Sequence, residues 1–200
     1  MHRFARTAAV LTASLAATLV AAAPAGAAPS PGAGLDPARN AVVARIDKRL
    51  DALTKFEATV GKAGQLTSGH KSALTGLIAD QRSGLTALKT KVQGETTVAA
   101  VKADAQSMVY DYRVFLLTGP KVRLTAAIDT ELAVVAKMKA EPGADTAKLD
   151  AIAQSLQGKA DALLAVKPGP DGEAIRGQVA PVRQAARTAH TDLKALRKTT

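Results

Sequence analysis

The 200-residue chain carries 27 Lys and Arg against 17 Asp and Glu, a formal net charge of +10, with 47% hydrophobic residues but only 2% aromatics. It has no Cys, which excludes disulfides, thiol catalysis, thiolate metal sites and a bacterial lipoprotein anchor. Much of the apolar content is Ala, which favours helix and buries little area, so slender helix–helix packing is expected in place of a thick globular core.

Residues 1–27 read as an export signal. His2, Arg3 and Arg6 form a basic start, Thr7 to Ala23 a small-residue apolar stretch, and Ala25-Gly-Ala27 a cleavage site. Its removal leaves 25 basic against 17 acidic residues, a net charge of +8. No later stretch has the ~20 unbroken apolar residues that a membrane span needs. The expected location is therefore outside the cell, secreted or held loosely at its surface. Residues 28–35, a Pro/Gly/Ser-rich stretch with nothing to bury, read as a disordered spacer.

Asp36-Pro37 opens the first predicted helix, which runs to about Ala63 with Val43, Ile46, Leu50, Leu53 and Val60 on one seam. Gly64 closes it and Ser68 offers a cap for the second, whose seam is Leu74, Ile78, Gln81, Leu85, Leu88 and Val92, ending at Gly94. The third carries Val98, Val101, Ala105, Met108, Tyr112 and Phe115. At Gly119-Pro120 a straight helix is excluded, because Pro lacks a donor and its ring crowds the preceding turn. A helical hairpin or a kinked helix continuing to Ala140 would satisfy this, and the kinked helix is favoured. Downstream the seam is Leu124, Ile128, Glu131/Leu132, Val135 and Met138, out of phase by two residues with Phe115. Glu141-Pro-Gly143 stops the helix, and the next starts at Asp145 or Thr146 with Leu149, Ile152, Leu156, Ala160 and Leu163. Lys167-Pro-Gly-Pro-Asp171 is the strongest punctuation. The last helix carries Ile175, Val179, Val182, Ala186, Ala189, Leu193 and Leu196, with a kink expected near Gly177 from Pro181.

Ala44–Ala58 aligns without gaps on Ala126–Ala140, with six identities in fifteen residues. Leu74, Leu77, Ala87, Leu88 and Gly94 match Leu149, Ile152, Ala162, Leu163 and Gly169 at a constant offset. Generic Ala-rich amphipathic helices align comparably well, so a true duplication and chance similarity both stand. The expected fold is all-α, an elongated antiparallel helical bundle or coiled coil. Two tandem three-helix modules, 36–118 and 119–200, would share the Pro-kinked central helix.

The exported chain has two histidines, His70 and His190, both expected at the surface. Neither belongs to a His-Glu-x-x-His or Glu-x-x-His motif, and no Gly-x-Ser-x-Gly, P-loop or dinucleotide fingerprint is present. No catalytic residue, metal site or cofactor is therefore assigned, and a non-enzymatic role is expected. The distinctive local signal is Tyr110-Asp-Tyr-Arg113. Tyr110 and Arg113 lie three residues apart on a helix, and Lys121 and Arg123 follow. These four residues form the candidate interaction patch, able to grip a sugar or phosphate by stacking and charge. The competing reading is that the aromatics fill a junction where three helices meet.

The same stretch, with Tyr112-Arg-Val-Phe115 before Pro120 and Lys121-Val-Arg-Leu-Thr125 after it, resembles a group of secreted helical proteins of high-GC actinobacteria. The likeness covers roughly residues 97–140 and implies a setting outside a Gram-positive-like cell, with no established activity. Together these readings point to a secreted helical protein that associates with the cell envelope through basic and amphipathic helix faces. Anionic cell-wall polymers or envelope proteins are the expected partners, and nucleic acid is not. The alternative is a membrane-active protein whose amphipathic helices open onto lipid. A hydrolase is a third, weaker reading.

Overall fold

The computed structural model of the chain describes residues 34–197. The expected export signal, and the spacer as far as residue 33, lie outside the described residues. Gly34 begins the first turn, so the last spacer residue, Leu35, is already helical. The described residues are all-α, with no strand among them. In chain order the helices are α1 (Leu35–Lys62), α2 (Ser68–Gly94), α3 (Val98–Tyr110), a π-helical turn (Val114–Thr118), α4 (Gly119–Lys139), α5 (Thr146–Leu156), α6 (Lys159–Ala165) and α7 (Gly172–Leu196).

Side-chain caps fix most of the starts, since the first amides of a helix have no partner within it. Thr67, one residue before the expected Ser68, caps α2 by accepting from the His70 amide at 3.2 Å. Thr97 caps α3 through the Ala100 amide at 3.2 Å. Asp145 accepts from the Lys148 amide at 3.1 Å, and Asp171 from the Glu173 and Ala174 amides at 2.9 Å. Asp36 does not cap α1; it pairs with Arg39 at 2.8 Å instead.

Two hydrophobic clusters form the interior. The first gathers α1, α2 and α3, and takes Val114 and Val122 from the segment that follows. The second gathers α4, α5, α6 and α7 with Leu117. All six seam positions of α2 are buried, as are Ile175, Val179, Val182, Ala186, Ala189 and Leu193 of α7. In α1 the buried line is Val42, Ile46, Leu53, Phe56 and Val60, so Phe56 supplies the apolar step that the seam skips at Glu57. α4 lies between the clusters and packs on α1 and α2 as well as on α5, α6 and α7. The described residues fall within one compact unit.

The break expected at Gly119-Pro120 lies elsewhere. The chain leaves α3 at Tyr110 and turns at Arg113, a non-glycine residue in the left-handed region (φ 46°, ψ 37°). The π-turn follows, with the Thr118 and Gly119 amides reaching back five residues to the Arg113 and Val114 carbonyls. Pro120 falls in the first turn of α4, where a missing N–H costs least. Pro120 thus lies in the first turn of α4, directly after the π-turn, and the interruption of the helix falls at residues 111–113. The phase jump of two residues is taken up by the turn at Arg113 and the wider π-turn. As a result Val114, Leu117 and Thr118 face inward, while Phe115, expected on the seam, is 56% exposed.

A second correction concerns the helix predicted from Thr146 through Leu163. It divides at Gln157–Gly158 into α5 and α6, and Gly158 has φ +67°, which side-chain-bearing residues rarely adopt. All five expected seam residues are nevertheless buried. α7 runs unbroken as a helix from Gly172 to Leu196 with Pro181 inside it. Of the aligned segments, Ile46 and Ile128 are both buried, as are Leu53 and Val135, Leu74 and Leu149, and Leu88 and Leu163.

Candidate functional site

The four residues of the expected patch have different surroundings. Tyr110 is 38% exposed at the end of α3, and the Arg113 guanidinium lies over its ring at 5.3 Å. Arg113 also donates from Nε to the Gly169 carbonyl at 2.7 Å and from Nη2 to the Pro170 carbonyl. It thereby staples the turn after α3 to the punctuation loop before α7. Lys121 is 4% exposed and points inward, its Nζ donating to the Leu164 and Val166 carbonyls at 2.8 and 2.6 Å. These carbonyls lie at the end of α6, where a cation offsets the negative end of the helix dipole. Burial, and then the nearby Lys167 charge, lower the Lys121 pKa to about 8. Arg123 is exposed, and its guanidinium covers the Phe56 ring at 5.7 Å.

Arg123 and Phe115 meet a face of α1 to form an aromatic–basic surface. Lys48, Ala52 and Phe56 recur every four residues and Lys55 follows Lys48 by seven, which puts them on one side of the helix. With Asp51, Phe115 and Arg123 they line a shallow concavity of about 350 Å³. Gly119 makes the fit possible, because a Cβ there would lie 3.0 Å from Phe56 Cζ and 3.4 Å from Arg123 Nη2. Arg49 lies over the outward Phe115 ring at 5.4 Å and donates to the Arg45 carbonyl at 2.9 Å. Burial, and then the Arg45 charge, lower the Arg49 pKa from its ordinary value. Among the described residues none of Lys48, Arg49, Lys55 and Arg123 forms an ion pair, whereas Lys89, Lys91 and Arg82 are each paired with an acid on a neighbouring helix or loop.

The sequence signal pointed to Arg123 but missed the α1 contribution. The available clue was the seven-residue spacing of Lys48 and Lys55 next to Phe56. The outward orientation of Phe115 had no signal, since its spacing matches the Met108 seam.

A second cluster surrounds His70, which is half-buried and so departs from the surface position expected for it. Its Nδ1 lies 2.9 Å from both Asp129 oxygens and its Nε2 3.2 Å from Asp161 Oδ1. Asp129 also accepts from the Thr67 amide at 2.9 Å. Burial alone would lower the His70 pKa, but hydrogen bonds to Asp129 and Asp161 outweigh it and raise the pKa above the ordinary value. His190 is exposed, with Nδ1 2.7 Å from Glu131 Oε1.

Among the described residues no group of three or more His, Asp and Glu is arranged to hold a metal ion, and no helix is long and apolar enough to cross a membrane. Comparison with protein-family models, curated proteins and solved structures finds no match to this chain.

Proposed function

We propose that this is a secreted, non-enzymatic helical protein that associates with the cell envelope by holding anionic wall polymers on the aromatic–basic face of α1, the π-turn and the start of α4. The setting is that of the actinobacterial secreted proteins which residues 97–140 resemble. One observation carries the reading: Phe115 is 56% exposed beneath the Arg49 guanidinium, beside Lys48, Lys55 and Arg123, none of them ion-paired. Guanidinium groups match phosphate oxygens in a two-pronged geometry, and an open ring offers a surface for the carbon skeleton of a polyol or sugar. A net charge of +8 after signal removal adds long-range attraction.

The test is sedimentation of the purified protein with cell walls, before and after their anionic polymers are stripped, across a salt series. The expected result is binding that needs the polymers, fades with salt as surface electrostatics must, and falls about tenfold or more in Arg49→Gln/Arg123→Gln. Arg183→Gln/Arg187→Gln removes equal charge from α7 and should lose less. Equal losses in the two pairs would make net charge, not this face, the determinant. No binding under any condition would sink wall attachment.

The membrane-active alternative requires the amphipathic helices to open onto lipid, which would expose the apolar seams that α1, α2 and α7 turn mostly into the two clusters. Leakage from anionic vesicles would favour it, and turnover of wall fragments would speak for a hydrolase.

A further inference from the structure

A line of buried polar residues runs along the joint between the two clusters, beside the apolar contacts that Val122 and Leu164 make with the first. Thr118 at the end of the π-turn and Lys121, Thr125 and Asp129 on α4 follow one another at steps of three and four, each 4% exposed or less. Residues spaced this way share one face of a helix, so α4 carries a buried polar stripe. Thr118 Oγ1 donates to Gln81 Oε1 of α2 at 3.2 Å, Lys121 donates to the end of α6, and Asp129 binds the start of α2.

His70 closes the far end of the stripe and bridges three helices. From α4 it faces Asp129, from α6 Asp161, and on its own α2 the Thr67 cap. A cavity of about 400 Å³ lies beside it. The other charged group lining that cavity is Asp150 of α5, which Lys139 of α4 holds at 2.6 Å; Gln154 and Gln157 are neutral, and no Lys or Arg lines it. A neutral imidazole has one N–H, whereas the protonated ring has two. Asp129 is buried and fixed by the Thr67 amide, so it retains the single donor of the neutral ring at Nδ1. The Nε2 lone pair then faces a carboxylate oxygen at 3.2 Å, an acceptor against an acceptor. Asp161, whose side chain is 78% exposed, is free to turn to water.

We propose that His70 is a proton-operated clamp between the two halves: protonated, it ties the start of α6 to α2 and α4; neutral, it keeps Asp129 and releases Asp161. The elevated His70 pKa supports this direction. A group whose folded pKa is raised contributes its full stabilisation below the ordinary pKa of about 6.5, and loses it as pH rises through the folded value. The clamp is therefore closed in acid and open in mild alkali. Opening removes the Asp161 wall of the cavity and frees the first turn of the seven-residue α6, whose other end Lys121 holds through the Leu164 and Val166 carbonyls.

The test is amide hydrogen exchange of the full chain between pH 5 and 8, corrected for the intrinsic rate. Protection of residues 160–164 should drop about two- to fivefold across the His70 titration, the ratio expected of a partly exposed ion pair. Asp161→Asn, at an exposed position that leaves the fold intact, should remove this step while leaving the protection of α1 and α7 unchanged. His70→Gln should also be flat. An identical step in wild type and Asp161→Asn would overturn the proposal, as would a wild-type profile without a step. The His70 ring titration, followed by NMR, must coincide with the step; a step at a different pH would likewise overturn it.

Discussion

α7 and α4 are helices of similar length in contact with each other, yet they follow opposite rules. α7 packs on one side only, so its six buried residues are all apolar and its other face is solvated and basic. α4 has neighbours on both sides and buries Thr118 at its start, then Lys121, Thr125 and Asp129, together with Val122, Ile128 and Val135. A surface helix can send its polar residues to water, whereas a central helix must partner them or leave them orphaned. Both outcomes occur on α4: Lys121 and Asp129 are well bonded, but the Thr125 hydroxyl is buried with no partner.

The largest expected effect is on the apolar side of this contrast. Leu193→Ala on α7 should destabilise by about 2–5 kcal/mol in urea unfolding, the cost of a leucine-sized cavity in a sealed core. A loss below about 1 kcal/mol would mean that this seam is not well packed. On the α4 side, Lys121 makes stability depend on pH. Its folded pKa of about 8 lies below the ordinary 10.5, so the unfolded chain holds more protons between those values. Wild type should therefore gain stability relative to Lys121→Met as pH rises from 8 to 10.5, by up to about 3 kcal/mol. Parallel curves for the two proteins would show that the amine is not desolvated.

Gly84 tests the packing of the α3 exit against α2. A Cβ there would lie 2.6 Å from both Cε1 and Oη of Tyr112. Gly84→Ala should cost about 1–3 kcal/mol through overpacking. In a Tyr112→Ala background the same change should turn favourable by about 1 kcal/mol, as helix propensity alone predicts. Thr125→Val keeps the shape and removes the orphan hydroxyl, so it should stabilise by about 1 kcal/mol. Destabilisation would reveal a partner for that oxygen. Smallest of all, Lys89→Ala breaks the Lys89–Asp47 pair at 2.6 Å between α2 and α1. Both side chains are substantially solvated, so the change should stay within about 1 kcal/mol and shrink with added salt.

These same two helices also show where sequence patterns are informative. The seam of α7 and that of α2, Gln81 included, were legible because each helix has a single core to face. The three-and-four spacing then records that face directly. On α4 the expected seam residues Ile128 and Val135 are buried, while Leu124, Leu132 and Met138 are only partly covered. With two faces in use, no single period describes the helix. Of the candidate patch, Tyr110 and Arg123 lie at the surface as residue type suggests, but Lys121 lies inside and Arg113 is taken up by the loop carbonyls. A cation's sequence neighbours carry no record of a carbonyl acceptor more than forty residues away.

The sequence by itself determined the all-α class, most helix ends and the apolar seams of the outer helices, because capping, proline placement and amphipathic period are local interactions. Tertiary structure decided what rests on residues far apart in the chain. It moved the break from Pro120 to Arg113, since the π-turn lets proline start a helix. It turned Phe115 outward beside Lys48 and Arg49, and it brought His70 between Asp129 and Asp161, respectively 59 and 91 residues away. Such pairings depend on which helices pack together, and that is fixed only when the two cores close around α4.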